Sequence, residues 1–116
     1  MIAITPQMKV RLYAGFIDFR NGIDGLAELC RANFSEDPFS GILFLFRNRT
    51  STSVKILAYD GQGFWLCQKR LSQGRFRYWP KTQEEAGRLI AQEIGVLLFN
   101  GDPLGSHMAA VWKKVG

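Results

Sequence analysis

Turn-forming residues recur at short intervals through the middle of the chain, and no other feature limits the fold as much. Proline fixes φ and glycine admits left-handed backbone, so clusters of these residues with Asp, Asn or Ser indicate turns. The runs between the turns are too short for ordinary helices, which favours strands. The turns are 37–41, 49–53, 60–63 and 72–74, and the runs are 42–47, 54–59, 64–71 and 75–79. The sequence therefore predicts successive antiparallel hairpins.

Helices are indicated on both sides of these hairpins. Apolar residues between Ile23 and Phe34 recur at helical spacing, which predicts a helix from about residue 21 to residue 33. Thr82 and Glu85 stand at the spacing of a capping box, and the apolar stripe behind them predicts a second helix down to about Phe99. A short strand at 9–13 precedes the first helix.

These elements predict one α+β domain. We expect an antiparallel β-meander of about four to five strands packed against two helices. The chain of 116 residues is long enough for one such domain and too short for two. The domain is predicted to span 1–103, and 104–116 are predicted to form a C-terminal tail.

Positive charge is concentrated in one stretch of the chain. Between Arg47 and Lys81 there are eight basic residues and one acidic residue, Asp60, whereas the other 81 residues hold seven basic and nine acidic ones. The formal net charge of +5 therefore comes from this stretch. Clustered positive charge favours binding of a polyanion, because phosphate contacts release counterions. The predicted DNA-binding residues are Arg47, Arg49, Lys55, Lys69, Arg70, Arg75, Arg77 and Lys81.

Strand alternation does not place these cations in a single stripe. Successive side chains of a strand point to opposite faces, so Lys69 and Arg70 cannot share a face. Part of the set is therefore expected at strand ends or in loops. Most aromatic residues of the same stretch are expected to fill the core, whereas Trp65 and Trp79 are kept as candidates for stacking on unpaired bases.

Residues suited to catalysis are sparse. Metal-dependent strand transfer needs converging carboxylates, but Asp37 and Asp60 are explained as turn residues and Asp24 suits the first turn of a helix. The only histidine, His107, lies in a Gly-Ser-His-Met run that matches the remnant of a cleaved affinity tag, so we assign it no chemistry. No Cys or His spacing suits zinc, and no dinucleotide fingerprint is present. We expect no enzymatic activity, no metal and no cofactor.

The sequence also predicts a cytoplasmic protein. No run approaches the roughly 18 to 20 apolar residues that span a bilayer, so no membrane contact is expected. The first 16 residues lack the pattern of a secretory signal. Cys30 and Cys67 have no partner motif and are interpreted as reduced thiols.

Three runs of the chain together resemble a known family. The first run, 15–26, reads GFIDFRNGIDGL, and the second, 37–49, contains DPFSG, LF and FRNR. The third run, 55–80, contains KIL, DGQGFWL, KRL, GRF and WP. In order, spacing and turn glycines, these runs resemble the TnpB accessory protein of insertion sequence sixty-six type elements, the product of their second open reading frame. The resemblance covers about residues 8–80.

This resemblance implies a small accessory protein with no assigned catalytic activity. Its implied partners are the larger DDE transposase and the other accessory protein of the element. The resemblance implies a role in transposition more directly than it implies DNA binding. The chain departs from the family at Asn21, where a lysine is usual, and at 50–53, where Thr-Ser-Thr-Ser replaces a more basic turn containing glycine. Both departures remove positive charge, so DNA contacts are not assigned to these two places.

Three functional hypotheses remain open from the sequence. The first is an accessory protein that binds DNA at the transposon ends through phosphates. The second is an adaptor that assembles the transposase complex without touching DNA, and a homodimer is compatible with either. The third is a nuclease that depends on Asp18 and Asp24, against which the lack of a recognisable site argues.

Overall fold

The computed structural model describes residues 8–34 and 36–99. The predicted tail, 104–116, and His107 lie outside this part of the chain. An α+β fold is confirmed, with four strands and three helices among the described residues. None of these helices has the length and apolar character needed to cross a bilayer. The elements are β1 (Val10–Phe16), α1 (Ile23–Phe34), β2 (Leu43–Arg47), β3 (Ser53–Tyr59), β4 (Phe64–Arg70), α2 (Gln83–Arg88) and α3 (Ala91–Leu98).

The four strands form one sheet in the order β1-β2-β3-β4. The pairs β2–β3 and β3–β4 are antiparallel, as the turns predict. The pair β1–β2 is parallel, which corrects the expectation of a wholly antiparallel sheet. The physical reason is that α1 crosses between β1 and β2, and a helical crossover returns the chain to the same end of the sheet. β2 and β3 are therefore the two central strands.

Residues 75–79 do not form the predicted last strand. Phe76 donates its backbone N–H to the carbonyl of Ser51, at 2.8 Å, and its ring is buried in the core. The segment therefore packs across one face of the sheet. Its apolar side chains bury more surface there than they would at an exposed sheet edge, and this burial outweighs strand pairing.

Two hydrophobic clusters lie on the two faces of the sheet. Both central strands are buried on both faces, which explains the nearly unbroken apolar run of β2. One face is covered by α1, through Leu26, Ala27 and Cys30. The other face is covered by the segment around Phe76 together with Ala86, Ile94, Leu97 and Leu98 of the last two helices.

The predicted helix at 82–99 is divided into α2 and α3. Thr82 caps α2 as predicted, because its hydroxyl accepts the N–H of Glu85 at 3.1 Å. Leu89 and Ile90 are extended and interrupt the helix. Glu93 then accepts the N–H of Ile90 at 3.0 Å, which supplies a new cap and starts α3. The second cap compensates for the lost helical hydrogen bonds at the break.

Gly25 lies within α1, where helix propensity disfavours glycine, and the loop before α1 explains why a glycine is needed there. A side chain at Gly25 would place its Cβ 2.5 Å from Oδ1 of Asn21. The Asn21 side chain is held there because it donates to the carbonyl of Asp18 at 2.9 Å. Gly25 therefore lets the loop 17–22 fold closely against the first turn of α1.

Candidate nucleic-acid interface

Three loops meet at one end of the sheet. Parallel β1 and β2 finish at the same end, and the antiparallel pairs place the start of β3 and the end of β4 there as well. Loops 17–22, 48–52 and 71–76 are therefore neighbours. Backbone hydrogen bonds join them, from Ile17 N to Arg47 O at 2.9 Å, from Leu71 N to Thr52 O at 2.9 Å and from Phe76 N to Ser51 O at 2.8 Å.

The loop 48–52 is held by the side chain of Asn48. Its Oδ1 accepts the N–H groups of Thr52 and Ser53, at 2.9 and 3.1 Å. Its Nδ2 donates to the Thr52 hydroxyl at 2.9 Å. This network fixes the turn around Arg49, whose side chain is exposed to solvent.

Four exposed arginines lie at this end, which we call the basic end. Arg49, Arg70 and Arg75 belong to the predicted set, and they come from the loop after β2, the last position of β4 and the loop after it. Arg20 was missed by the sequence reasoning because it lies outside the basic stretch; its side chain is 91% exposed. The parallel pairing of β1 and β2 brings it to the other three.

Two carboxylates accompany the basic end. Arg20 donates to both carboxylate oxygens of Asp18, and this bonding lowers the pKa of Asp18 to about 2. Asp18 therefore stays ionised and offsets part of the Arg20 charge. Asp24 lies in the first turn of α1. The basic end still carries more guanidinium groups than carboxylates.

The opposite end of the sheet differs in charge. It carries the carboxylates of Glu36, Asp37 and Asp60, beside the cations Lys9 and Arg11. Arg11 is paired with Glu36 at 3.2 Å. The basic end therefore has a net positive charge and the opposite end a net negative charge, which gives the electric field of the molecule a direction.

Arg47 and Trp79 serve the interior of the fold. The register of β1 and β2 shifts between Leu12 and Phe16, which leaves carbonyls of β1 without partners in the sheet. Trp79 donates its indole N–H to Tyr13 O at 2.9 Å, and Arg47 donates to Ala14 O at 3.2 Å. The Arg47 guanidinium also lies 5.8 Å from the Trp79 ring centre, and desolvation lowers its pKa.

Replacing Trp79 by phenylalanine should destabilise the fold. The ring is kept in part, but Tyr13 O loses its donor in a half-buried place, so we expect the free energy of unfolding to fall by about 1 to 3 kcal/mol. Urea unfolding followed by circular dichroism measures this loss. An unchanged free energy of unfolding would show that the shifted register of β1 does not depend on the indole N–H.

Lys55 is also used internally. It is 8% exposed and lies on the α1 side of β3. Its ammonium donates to the carbonyls of Phe19 and Asn21, at 2.7 and 2.9 Å, and lies 4.7 Å from the Phe19 ring centre. Lys55 therefore holds the loop 17–22 against the α1 face of the sheet.

Lys69 lies on the opposite face of the sheet from Lys55. Val54 is its register partner, and Val54 also pairs with Arg47. The Lys69 ammonium donates to Leu98 O and lies 4.9 Å from the Phe99 ring centre, and burial lowers its pKa. It therefore caps the last turn of α3.

Arg77 and Lys81 line a cleft of about 540 Å3 between 77–81 and the last two helices. Arg88 lines the same cleft, together with the carboxylates of Glu85 and Glu93. Of the eight predicted cations, three therefore lie at the basic end, two line this mixed-charge cleft, and Arg47, Lys55 and Lys69 donate to backbone carbonyls.

Trp65 is the second tryptophan that was a candidate for stacking on unpaired bases. It is 60% exposed, and its indole N–H donates to Asp60 at 2.8 Å. The hairpin register places it near the start of β4, at the end of the sheet opposite to the basic end. Within residues 8–34 and 36–99, no group of three or more His, Cys, Asp or Glu side chains could hold a metal ion.

Comparison with known families decides the affiliation of the chain. The model of the family described as IS66 Orf2 like protein matches residues 8–106. The chain belongs to this family. Membership confirms the resemblance carried by the turn glycines and the runs around them, and it associates the chain with transposition as an accessory protein of insertion sequences.

Two proteins of Sinorhizobium fredii (strain NBRC 101917 / NGR234) are similar to this chain. Uncharacterized protein y4hO is 32% identical over the full length of both chains. Uncharacterized protein y4jC is 28% identical over 88% of this chain and 86% of its own. No solved structure matches the chain.

Proposed function

We propose that this IS66 Orf2-like protein is a non-catalytic accessory protein that binds DNA phosphates through the basic end. The observation that supports the proposal is that four exposed arginines, Arg20, Arg49, Arg70 and Arg75, lie at the same end of the sheet. Arginine suits this role because its planar guanidinium can make paired hydrogen bonds to a phosphate.

The internal contacts narrow the proposed site. Arg47, Lys55 and Lys69 donate to backbone carbonyls, so their charges are committed within the fold. In the cleft, the charges of Arg77, Lys81 and Arg88 are partly offset by Glu85 and Glu93, which weakens its attraction for a phosphate. The proposal therefore rests on the basic end alone.

Binding through phosphates should be strongly dependent on salt. If about four arginines each contact a phosphate, the affinity for a duplex falls roughly a hundredfold between about 50 and 200 mM salt, because counterions are released on binding. Fluorescence anisotropy with a labelled duplex from the element ends measures this, and a scrambled duplex of the same length is the control. Binding that is absent, or insensitive to salt, would contradict the proposal.

The adaptor hypothesis has its own supporting feature. Phe39 is 49% exposed at the opposite end of the sheet and packs against Tyr59 and Phe64, at ring-centre distances of 4.9 and 5.1 Å. Exposed aromatic groups are enriched where proteins bind each other. Capture of the transposase that survives nuclease treatment, by a protein that does not bind the duplex, would favour the adaptor role.

A further inference from the structure

The outer edge of β4 is an open hydrogen-bonding edge. The bonds Asp60 N to Gly63 O and Leu71 N to Thr52 O fix which residues face β3. By alternation, the N–H and C=O groups of the even-numbered residues from 64 to 70 point away from the sheet. β4 is a terminal strand of the sheet, and the described residues place no strand beside it.

The two edges of the sheet differ in whether a side chain bonds to their outward backbone groups. At the β1 edge, the side-chain amide of Gln83 donates to Leu12 O at 2.7 Å and accepts from Ala14 N at 3.0 Å, so it blocks that edge. β4 contains no proline, and its register with β3 is regular over all seven residues. Edge strands that must stay single usually carry a proline, a bulge, a cover or charged side chains. Among the described residues β4 has no proline, bulge or cover, and its two cations, Lys69 and Arg70, lie together at one end of the strand.

The sequence of β4 is complementary to itself when reversed. It reads FWLCQKR, with aromatic residues at one end and cations at the other. In an antiparallel pair centred on Cys67, Arg70 faces Phe64 of the other copy and Lys69 faces Trp65. The exposed Arg70 opposite Phe64 makes a favourable cation–aromatic pair, whereas the Lys69 ammonium keeps its bond to Leu98 O, and no like charges stand opposite each other.

We propose that two copies of this chain pair through their β4 strands, antiparallel and centred on Cys67, into one eight-stranded sheet. This register pairs all seven residues and uses every outward N–H and C=O group. Shifting it by two residues in one direction leaves Lys69 and Arg70 without partners, and shifting it in the other direction leaves Phe64 and Trp65 without partners. Trp65, 60% exposed, would be covered by the partner strand.

This pairing uses the edge of the sheet, whereas the proposed DNA surface lies at its end, and Arg70 is the one residue that both proposals use. The pairing also fixes the geometry of the pair, since antiparallel β4 strands place the two basic ends at opposite ends of the joined sheet. A dimer would therefore offer two separate arginine surfaces.

Sedimentation equilibrium without DNA tests the pairing. We expect a dimer whose dissociation constant rises about tenfold or more in Gln68→Pro, because each copy loses one outward N–H donor. Gln68 is exposed and its N–H points away from β3, so proline costs no bond within the sheet. Gln68→Thr keeps the donor and should dimerise as the original chain does. Circular dichroism verifies that both variants are folded.

Oxidative cross-linking tests the register. In the proposed register, Cys67 stands opposite Cys67 of the second copy, and because its N–H and C=O point toward β3 the two form a non-hydrogen-bonded pair. Opposed residues of such a pair lie about 4.5 Å apart at Cα, within the disulfide range of about 4.4 to 6.8 Å. Copper-phenanthroline in air should therefore link Cys67 to Cys67 of the second copy. Cys30→Ser should leave the link intact, since Cys30 is fully buried, whereas Cys67→Ser and Gln68→Pro should remove it. A protein that stays monomeric at its highest soluble concentration, or a dimer that gives no Cys67 link, would overturn the proposal.

Discussion

Replacing Lys55 by methionine should cost about 3 kcal/mol in the free energy of unfolding. Methionine keeps most of the aliphatic stem, but it leaves the carbonyls of Phe19 and Asn21 without the ammonium that now bonds both. A hydrogen bond to a charged group contributes about 1.5 to 3 kcal/mol, and buried carbonyls left without a donor add a penalty. Urea unfolding followed by circular dichroism measures the loss.

Arg49→Gln is the matched control for this prediction. Both residues belong to the basic stretch, but Arg49 is exposed, so its replacement should change the free energy of unfolding by no more than about 0.5 kcal/mol. If Lys55→Met proved as stable as Arg49→Gln, the ammonium would not be holding the loop 17–22. Lys55 would then return to the candidates for DNA contact.

The contrast between Lys55 and Arg49 shows which features could be predicted from the sequence and which could not. Turn chemistry located β2, β3 and β4 to within a residue or two, because each strand is bounded by local signals. Alternation predicted that Lys69 and Arg70 lie on opposite faces of the sheet. It could not show which backbone carbonyls would be left without partners, since the register shift in β1 and the loop 17–22 meet Arg47 and Lys55 only in the folded chain.

The errors in the fold have the same origin. The parallel pairing of β1 and β2 depends on a contact across α1, and no local signal reports it. Arg20 was missed for this reason, because only that pairing brings it to Arg49 and Arg70. The break at Leu89 and Ile90 was hidden by an apolar stripe that continues through it. Local patterns thus predicted the elements, and long-range contacts decided their assembly.

Neutralising Arg49, Arg70 and Arg75 together should weaken DNA binding roughly several hundredfold at about 100 mM salt. The change Arg→Gln at all three positions removes three phosphate contacts, and each contact contributes somewhat less than a factor of ten at this salt concentration. The side chains are exposed, so the fold should tolerate the change. The salt dependence should become shallower in the same variant, because fewer counterions are released.

The most direct measurement compares this variant with a second one of equal charge. Lys9, Arg31 and Arg88 are exposed cations outside the basic end, and changing these three to glutamine gives the same formal net charge of about +2. Anisotropy titrations of one duplex at one salt concentration should then show the loss of roughly several hundredfold for the basic-end variant and at most a few-fold loss for the second. Equal losses in the two variants would contradict the proposed interface, because binding would then follow net charge and not the place where the arginines converge.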